Sequence, residues 1–244
     1  MREAGRIVAE VHAWATDNVR PGMTTDEMDR KARSIIEGRG ATCTFLGYQG
    51  FPKAICVSVN EEVVHGIPGK RRLEEGDIVG VDVGATFKSY IGDAAVTVPV
   101  GKITAERRRL VDTARECLEA AIKVIGPGVR ISAISSAVQD LAESRGYGVV
   151  REYAGHGIGT RLHEEPQVPN YVDGVALGRD VVLRPGMVIC VEPMVNMGTP
   201  DVEVLDDGWT VVTRDRKPSA HFEHTIAVTE DGAEVLSVLN GGAR

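Results

Sequence analysis

The sequence predicts an α+β fold with a mostly antiparallel sheet, built as two halves of similar plan. Three observations predict it. First, a block recurs: residues 21–41 and 127–147 align without a gap through Pro21/Pro127, Gly22/Gly128, Glu37/Glu143, Arg39/Arg145 and Gly40/Gly146. Second, a shorter block follows each copy. Leu73 to Asp82 reads L-E-E-G-D-I-V-G-V-D and Leu183 to Glu192 reads L-R-P-G-M-V-I-C-V-E, so Leu, Gly, Val and a terminal carboxylate coincide. Third, each half reads as a helix pair plus several strands, which favours α+β over alternating βαβ units. Pro-Gly before a helix is common punctuation, but two matched blocks in the same order argue against chance. The chain therefore reads as a single domain, residues 1–244, with halves of about 1–103 and 104–244.

The elements follow in order. Residues 2–18 carry Ile7, Val8, Val11, Trp14 and Ala15 at helical spacing. Thr24 and Glu27 form a capping box for a second helix that closes at Gly38 or Gly40. Leu110, Val111, Ala114, Leu118, Ala121 and Ile122 mark a third helix. Ile134, Val138, Leu141 and Ala142 mark a fourth, with Ser132 as its expected cap. Val- and Ile-rich runs predict strands over 54–59, 77–84, 90–98, 187–195, 201–205, 209–213 and 222–228.

Composition narrows the function. At ~150 residues per domain, 244 residues make one large domain or two intimate halves. Hydrophobic residues at 43% and charged residues at 26% describe an ordinary globular chain. A net charge of −7 argues against a general nucleic-acid binder. No apolar run approaches the ~18 residues of a membrane span, and the start lacks a signal-peptide core. Cys43, Cys56, Cys117 and Cys190 show no tight spacing, which predicts reduced thiols and a cytoplasmic protein.

The chemistry lies in carboxylates placed where carboxylates are costly. Asp82 and Asp93 sit in V-G-V-D-V-G-A and Y-I-G-D-A-A-V, two strand-like runs around a turn near Phe87 and Lys88. A hairpin centred there sets Asp82 directly opposite Asp93, with Cβ atoms ~5 Å apart. Gly80 and Gly84 share that face and are expected to leave open volume beside it. Like charges so placed repel, and a divalent cation between them removes the penalty. His156 lies in A-G-H-G-I-G-T, where clustered glycines predict unusual torsions or close backbone approach. Glu192 ends I-C-V-E-P-M and Glu223 opens F-E-H-T-I-A-V, both apolar settings for a charge. Four carboxylates balance two divalent ions, the arithmetic of a two-metal site in which a shared water becomes a nucleophile. Carboxylates with one imidazole suit Mn, Fe, Co or Zn. His65, in V-V-H-G-I-P-G, and His163, in L-H-E-E-P, remain for proton transfer or for stabilising a tetrahedral intermediate.

Taken together, V-D-V with G-D eleven residues later, G-H-G-I-G, H-E-E-P, V-E-P-M and F-E-H-T resemble the type I methionine aminopeptidases. V-H-G-I-P and G-Y-Q-G-F-P add to the resemblance, which covers essentially the whole chain. It implies the pseudo-two-fold pita-bread fold, a curved sheet covered by two helix pairs. It implies removal of initiator methionine from chains whose second residue is small. It implies two divalent metal ions held by Asp82, Asp93, His156, Glu192 and Glu223, with Asp93 and Glu223 shared or close to both. His65 would contact the substrate backbone or its amine-side nitrogen, and His163 the scissile carbonyl and its oxyanion. A methionine pocket would form from Phe45, Tyr48, Phe51, Cys56, Leu162 and Trp209, since sulfur and aromatic contacts suit a thioether. The implied partners are peptide and nascent-polypeptide N-termini, with a transient ribosome association; a monomer is expected, and neither nucleic acid nor membrane is implied.

The chain departs from the family pattern at Gln49, Leu162 and Ala94, where His, Phe and Thr are usual. None is a ligand position; the first two bear on the pocket. The sequence starts at M-R-E-A-G, where relatives usually have about a dozen or more residues upstream, and a zinc-finger-like ribosome-docking extension is not expected. The runner-up is an X-Pro aminopeptidase or dipeptidase of the same fold, whose large extra N-terminal domain has no room here. A type II enzyme would need a helical insertion between His163 and Glu192. A non-catalytic homologue would be expected to lose ligands that this chain keeps.

Overall fold

The computed structural model describes residues 1–172 and 180–239. Its framework is a pair of helices in each half. Helices Arg2–Asn18 (α1) and Thr25–Gly38 (α2) lie in the first half, and Ala105–Val124 (α3) and Ile131–Ser144 (α4) in the second. The α2 capping box is present in full, with Thr24 and Glu27 satisfying each other's backbone N–H groups. The α4 cap differs from expectation. The helix begins at Ile131, and the Asp180 carboxylate accepts from the Ser132 N–H at 3.0 Å and from its hydroxyl at 2.7 Å. Ser132 is thus a donor to a distant cap, because the Arg130–Val182 bridge starts the helix earlier.

The first-half strands are Thr42–Cys43 (β1), Cys56–Val59 (β2), Glu62–Val64 (β3), Ile78–Phe87 (β4) and Tyr90–Pro99 (β5). Short strands Gly148–Val149 (β6), Gly155–Gly157 (β7) and Glu164–Val168 (β8) follow α4. The chain then forms Val188–Val191 (β9), Met194–Asn196 (β10), Val202–Val204 (β11) and Val211–Thr213 (β12). Ser219–His221 (β13), Glu223–Thr229 (β14) and Gly232–Val235 (β15) complete it. The main sheet runs β1-β4-β5-β14-β9-β7-β8, with β2 on β4 and β15 on β14, and its pairs are antiparallel. The strand expected over 187–195 is two strands, since Pro193 after Glu192 has no N–H to continue the ladder. β1, β3, β6, β7, β8, β13 and β15 were not expected; they are short and lack a clear period-two pattern.

The internal repeat reappears as repeated hydrogen bonds. Gly22 N–H donates to Leu73 O at 2.8 Å and Gly128 N–H to Leu183 O at 2.9 Å. Leu73 and Leu183 return the bond to Met23 and Val129. Gly22 and Gly128 hold φ of +87° and +84°, a conformation that glycine enters without steric cost.

Strand alternation divides the sheet into two faces. Val79, Val81, Val83, Ala85, Ala94 and Val98 are buried in the cluster under α1 and α2. Ile189, Val191, Ile226 and Val228 are buried in the cluster under α3 and α4. Asp82, Asp93, Cys190, Glu192 and Glu223 occupy the other positions, so the helices take the apolar face and the opposite face keeps the polar groups. The contact between α1 and the sheet is close. A Cβ on Gly5 would run into the Leu236 carbonyl, and one on Gly92 would lie 2.5 Å from Gly5 N. Gly5→Ala is expected to destabilise. The helix-propensity gain of ~1 kcal/mol is outweighed by an overpacking cost of ~1–3 kcal/mol. A melting temperature at or above wild type would overturn that account.

Candidate metal centre

The β4–β5 hairpin turns at Lys88 and Ser89, with φ of +47° and +68°, and pairs Phe87 with Tyr90. Asp82 therefore faces Ala95, and Asp93 faces Gly84. This corrects the expected direct pairing. The carboxylates are diagonal neighbours on one face, a separation of ~7–8 Å between positions instead of ~5 Å. A turn with both central residues left-handed usually carries Asn or Gly, and Lys-Ser gives no such signal.

From this register the site is laid out in two rows. Cys56 pairs with Asp82, Asp82 with Ala95, and Ala95 with Glu223. The second row joins Gly84 to Asp93 and Thr225 to Cys190. The Thr225 hydroxyl ties the strands between them, donating to Asp93 O at 2.6 Å and accepting from Asp93 N–H at 3.0 Å. The β14–β9 pairing ends at His224–Val191, so Glu223 and Glu192 are next in register. Asp82 does border open volume, the cavity described below, but the Gly84 side is filled: a Cβ on Gly84 would lie 2.6 Å from the Phe45 ring, whereas one on Gly80 would make only ordinary contact, 3.6 Å from Ser58 O.

His156 stands on β7. The glycines around it serve close approach: a Cβ on Gly155 would strike the Cys190 carbonyl, and one on Gly157 the Glu165 carbonyl. The His156 Nδ1–H donates to Gly157 O at 2.9 Å, so Nε2 turns its lone pair to the cavity, 3.7 Å from Glu192 Oε1. The His163 ring packs edge-on against His156 with centroids 4.3 Å apart, and its Nδ1 is 2.7 Å from Tyr48 Oη. His65 holds a φ of +60°, unusual for a residue with a Cβ, and its ring edge meets Tyr153 and Trp209.

Every residue read from the sequence as a metal ligand, a catalytic histidine or part of the methionine pocket lines one cavity. The carboxylates and His156 meet the histidines His65 and His163 there, with Phe45, Tyr48, Phe51, Cys56, Leu162 and Trp209 beside them. The cavity also takes in Gln49, Val64, Tyr153 and Ala154; the last three carried no sequence signal. Cys190 was also missed. Asp93, His156, Cys190 and Glu223 offer donor atoms within 4.8 Å of one another, all buried. Its signal was available, since two residues along a strand from Glu192 is the same face.

The electrostatics fit a cation. Burial pushes the Asp82 carboxyl up to about 7. It raises Asp93, Glu192 and Glu223 well above the ordinary range, and each is raised further by neighbouring carboxylates. Asp82 Oδ1, Asp93 Oδ1 and Glu223 Oε1 are buried and have no hydrogen-bond partner. Burial also lowers His156 and His65 to about 4, and lowers His163. Massed buried carboxylates, unpartnered oxygens and a neutral imidazole suit divalent ions bound by oxygen and nitrogen.

The model of metallopeptidase family M24 matches residues 1–230. The chain belongs to this family. This M24 chain is 49% identical over 237 residues to methionine aminopeptidase 1 of Bacillus subtilis, covering 97% of this chain and 94% of that one. It is 44% identical over 239 residues to methionine aminopeptidase of Clostridium perfringens, covering 98% and 95%. The solved methionine aminopeptidase of Thermotoga maritima superposes with a TM-score of 0.94 at 47% identity, covering 98% of this chain and 95% of that one. The M24 fold extends to the prolidase of Pyrococcus furiosus, at a TM-score of 0.75 and 23% identity, where this chain covers 63% of the other. The curled antiparallel sheet with its helix pairs is the pita-bread fold shared with these structures. The chain is thus a hydrolase of a metallopeptidase family with a buried acidic cluster suited to divalent metal.

Proposed function

We propose that this enzyme removes N-terminal methionine from peptides and nascent chains whose second residue is small. One observation carries the reading: an M24 chain gathers four carboxylates and one imidazole on a single sheet face, at the floor of a cavity with apolar and aromatic walls. In this reading Asp82, Asp93, His156, Glu192 and Glu223 would hold two divalent ions, with Asp93 and Glu223 bridging or close to both. Mn, Fe, Co and Zn all suit that donor set. When bound, the ions supply Lewis acidity and a nucleophile at neutral pH.

The chain's own residues supply binding and orientation. Phe45, Tyr48, Phe51, Cys56, Leu162 and Trp209 form the methionine pocket, where ring and sulfur contacts match a thioether. His65 meets the substrate backbone or its amine-side nitrogen. In this reading the Tyr48 O–H donates a hydrogen bond to His163 Nδ1, 2.7 Å away, and the neutral imidazole carries its single N–H on Nε2. His163 lines the cavity, and that N–H would donate to the scissile carbonyl oxygen as charge develops on it. The whole chain acts as one catalytic domain with halves of about 1–103 and 104–244; residues 173–179 and 240–244 lie outside the described part. We take it to act in the cytoplasm as a monomer, meeting nascent chains through a transient ribosome association.

Hydrolysis of Met-Ala-type against X-Pro peptides, read together with metal content, tests the reading. Release of methionine alone is expected. Treatment with excess chelator should abolish turnover and leave the far-ultraviolet circular dichroism unchanged, and divalent metal should restore it. Cleavage of X-Pro peptides in preference would favour the dipeptidase reading. Full turnover with no bound metal would overturn both.

A further inference from the structure

We propose that Cys190 is an additional metal donor: a thiophilic divalent ion is held by Cys190 Sγ together with Asp93, His156 and Glu223. The proposal rests on the reading of the cavity floor as a metal centre and adds a sulfur ligand to it. Three observations converge on this thiol. Its position is the first. Cys190 pairs with Thr225 on β14, and β7 pairs Gly157 with Ile189, so His156 is next in register to Cys190. The sulfur is thereby enclosed between the Asp93–Thr225 row and the imidazole.

Distance is the second. The four donor atoms lie within 4.8 Å of one another, and tetrahedral donors around zinc are about 3.4–3.7 Å apart. Side-chain adjustment of about 1 Å closes that gap without moving the strands. The third is the company the thiol keeps: its side-chain hydrogen bond is to the Glu223 carboxylate, itself one of the four proposed donors. The Cys190 contact with Thr225 Oγ1 is 3.8 Å, and that hydroxyl already donates to the Asp93 carbonyl. Asp93 Oδ1 and Glu223 Oε1 belong to residues 4% and 3% exposed, and neither atom has a hydrogen-bond partner.

The chemistry separates two classes of ion. Hard ions prefer the oxygen of Glu192, which stands two residues along β9 on the same face. Zinc and cadmium prefer sulfur. As the metal–sulfur bond forms, the thiol releases its proton to solvent; the ion keeps its oxidation state and no electron is transferred. Glu192 and Cys190 then act as alternative donors beside His156, and a soft ion draws the site away from the set that Glu192 completes.

Cadmium is the probe. Metal-free protein is titrated with cadmium chloride in a Cys43→Ser background, because Cys43 is the thiol that is not buried. Thiolate-to-cadmium charge-transfer absorption in the near ultraviolet is expected to saturate. It should persist in Cys56→Ser and be lost in Cys190→Ser. An unchanged band in Cys190→Ser, or no band while calorimetry shows cadmium bound, overturns the proposal. Should Cys190→Ser fail to fold, cadmium NMR of the Cys43→Ser protein decides: a resonance in the sulfur-ligated range supports it, and one in the all-oxygen-and-nitrogen range overturns it. Hydrolysis by the manganese-loaded wild type is measured alongside. A Cys190-dependent band without methionine release keeps the donor and discards the proposed activity. Methionine release without a band does the reverse.

Discussion

Glu192→Gln is expected to abolish turnover while the protein stays folded. The amide keeps the shape of the side chain and removes one anionic donor from beside His156. Loss of an outer partner of a metal ligand costs ~10–100-fold in metal affinity or activity, and loss of the ligand itself should exceed that. Stability should move the other way. Burial and the neighbouring Asp93 and Asp82 carboxylates disfavour the Glu192 anion in metal-free protein, so neutralising it relieves a buried repulsion. A melting temperature of metal-free protein at or above wild type is therefore expected. Metal stoichiometry, turnover and melting on one preparation check this. Wild-type metal content with wild-type turnover would sink the five-ligand reading.

His163→Ala separates catalysis from metal binding. If the ring donates to the developing oxyanion, its bond is stronger in the transition state than to the neutral carbonyl. Removing such a donor costs ~10²–10³ in kcat, about 2.7–4 kcal/mol. KM should change little, and bound metal and melting temperature should hold. Tyr48→Phe removes only the group at Nδ1, 2.7 Å away, and should lower kcat by less than His163→Ala. If His163 merely anchored its loop, stability would fall with activity. Near-normal kcat, or metal lost together with activity, would assign this histidine a different role.

Much of the site was legible because side-chain parity survives errors in register. The hairpin centre was misplaced, so Asp82 faces Ala95 instead of Asp93. That slip is two residues, and the side-chain period of a strand is two. Both carboxylates stayed on the same face, and the expectation of a shared cation with them. A slip of one would have buried Asp82 under α1. The same parity would have found Cys190 from Glu192. Ser132 failed as a cap for a different reason: its partner Asp180 is 48 residues away, beyond any local pattern.

The sequence by itself determined the four helices, the longer strands and their order. Helical spacing, the Thr24–Glu27 capping box and the repeated Pro-Gly blocks are short-range properties, and each acts within a few residues of its cause. It also marked the charged residues set in apolar strands, because a carboxylate flanked by valines is anomalous wherever the chain goes. Tertiary structure alone decided which of those residues meet. Thr225 reaches Asp93 across 132 positions, His65 meets Trp209 in the cavity lining, and the ring of Phe45 fills the volume over Gly84. Such contacts depend on strand register and close packing, which the chain settles only when the sheet closes and every backbone N–H and C=O has found its partner.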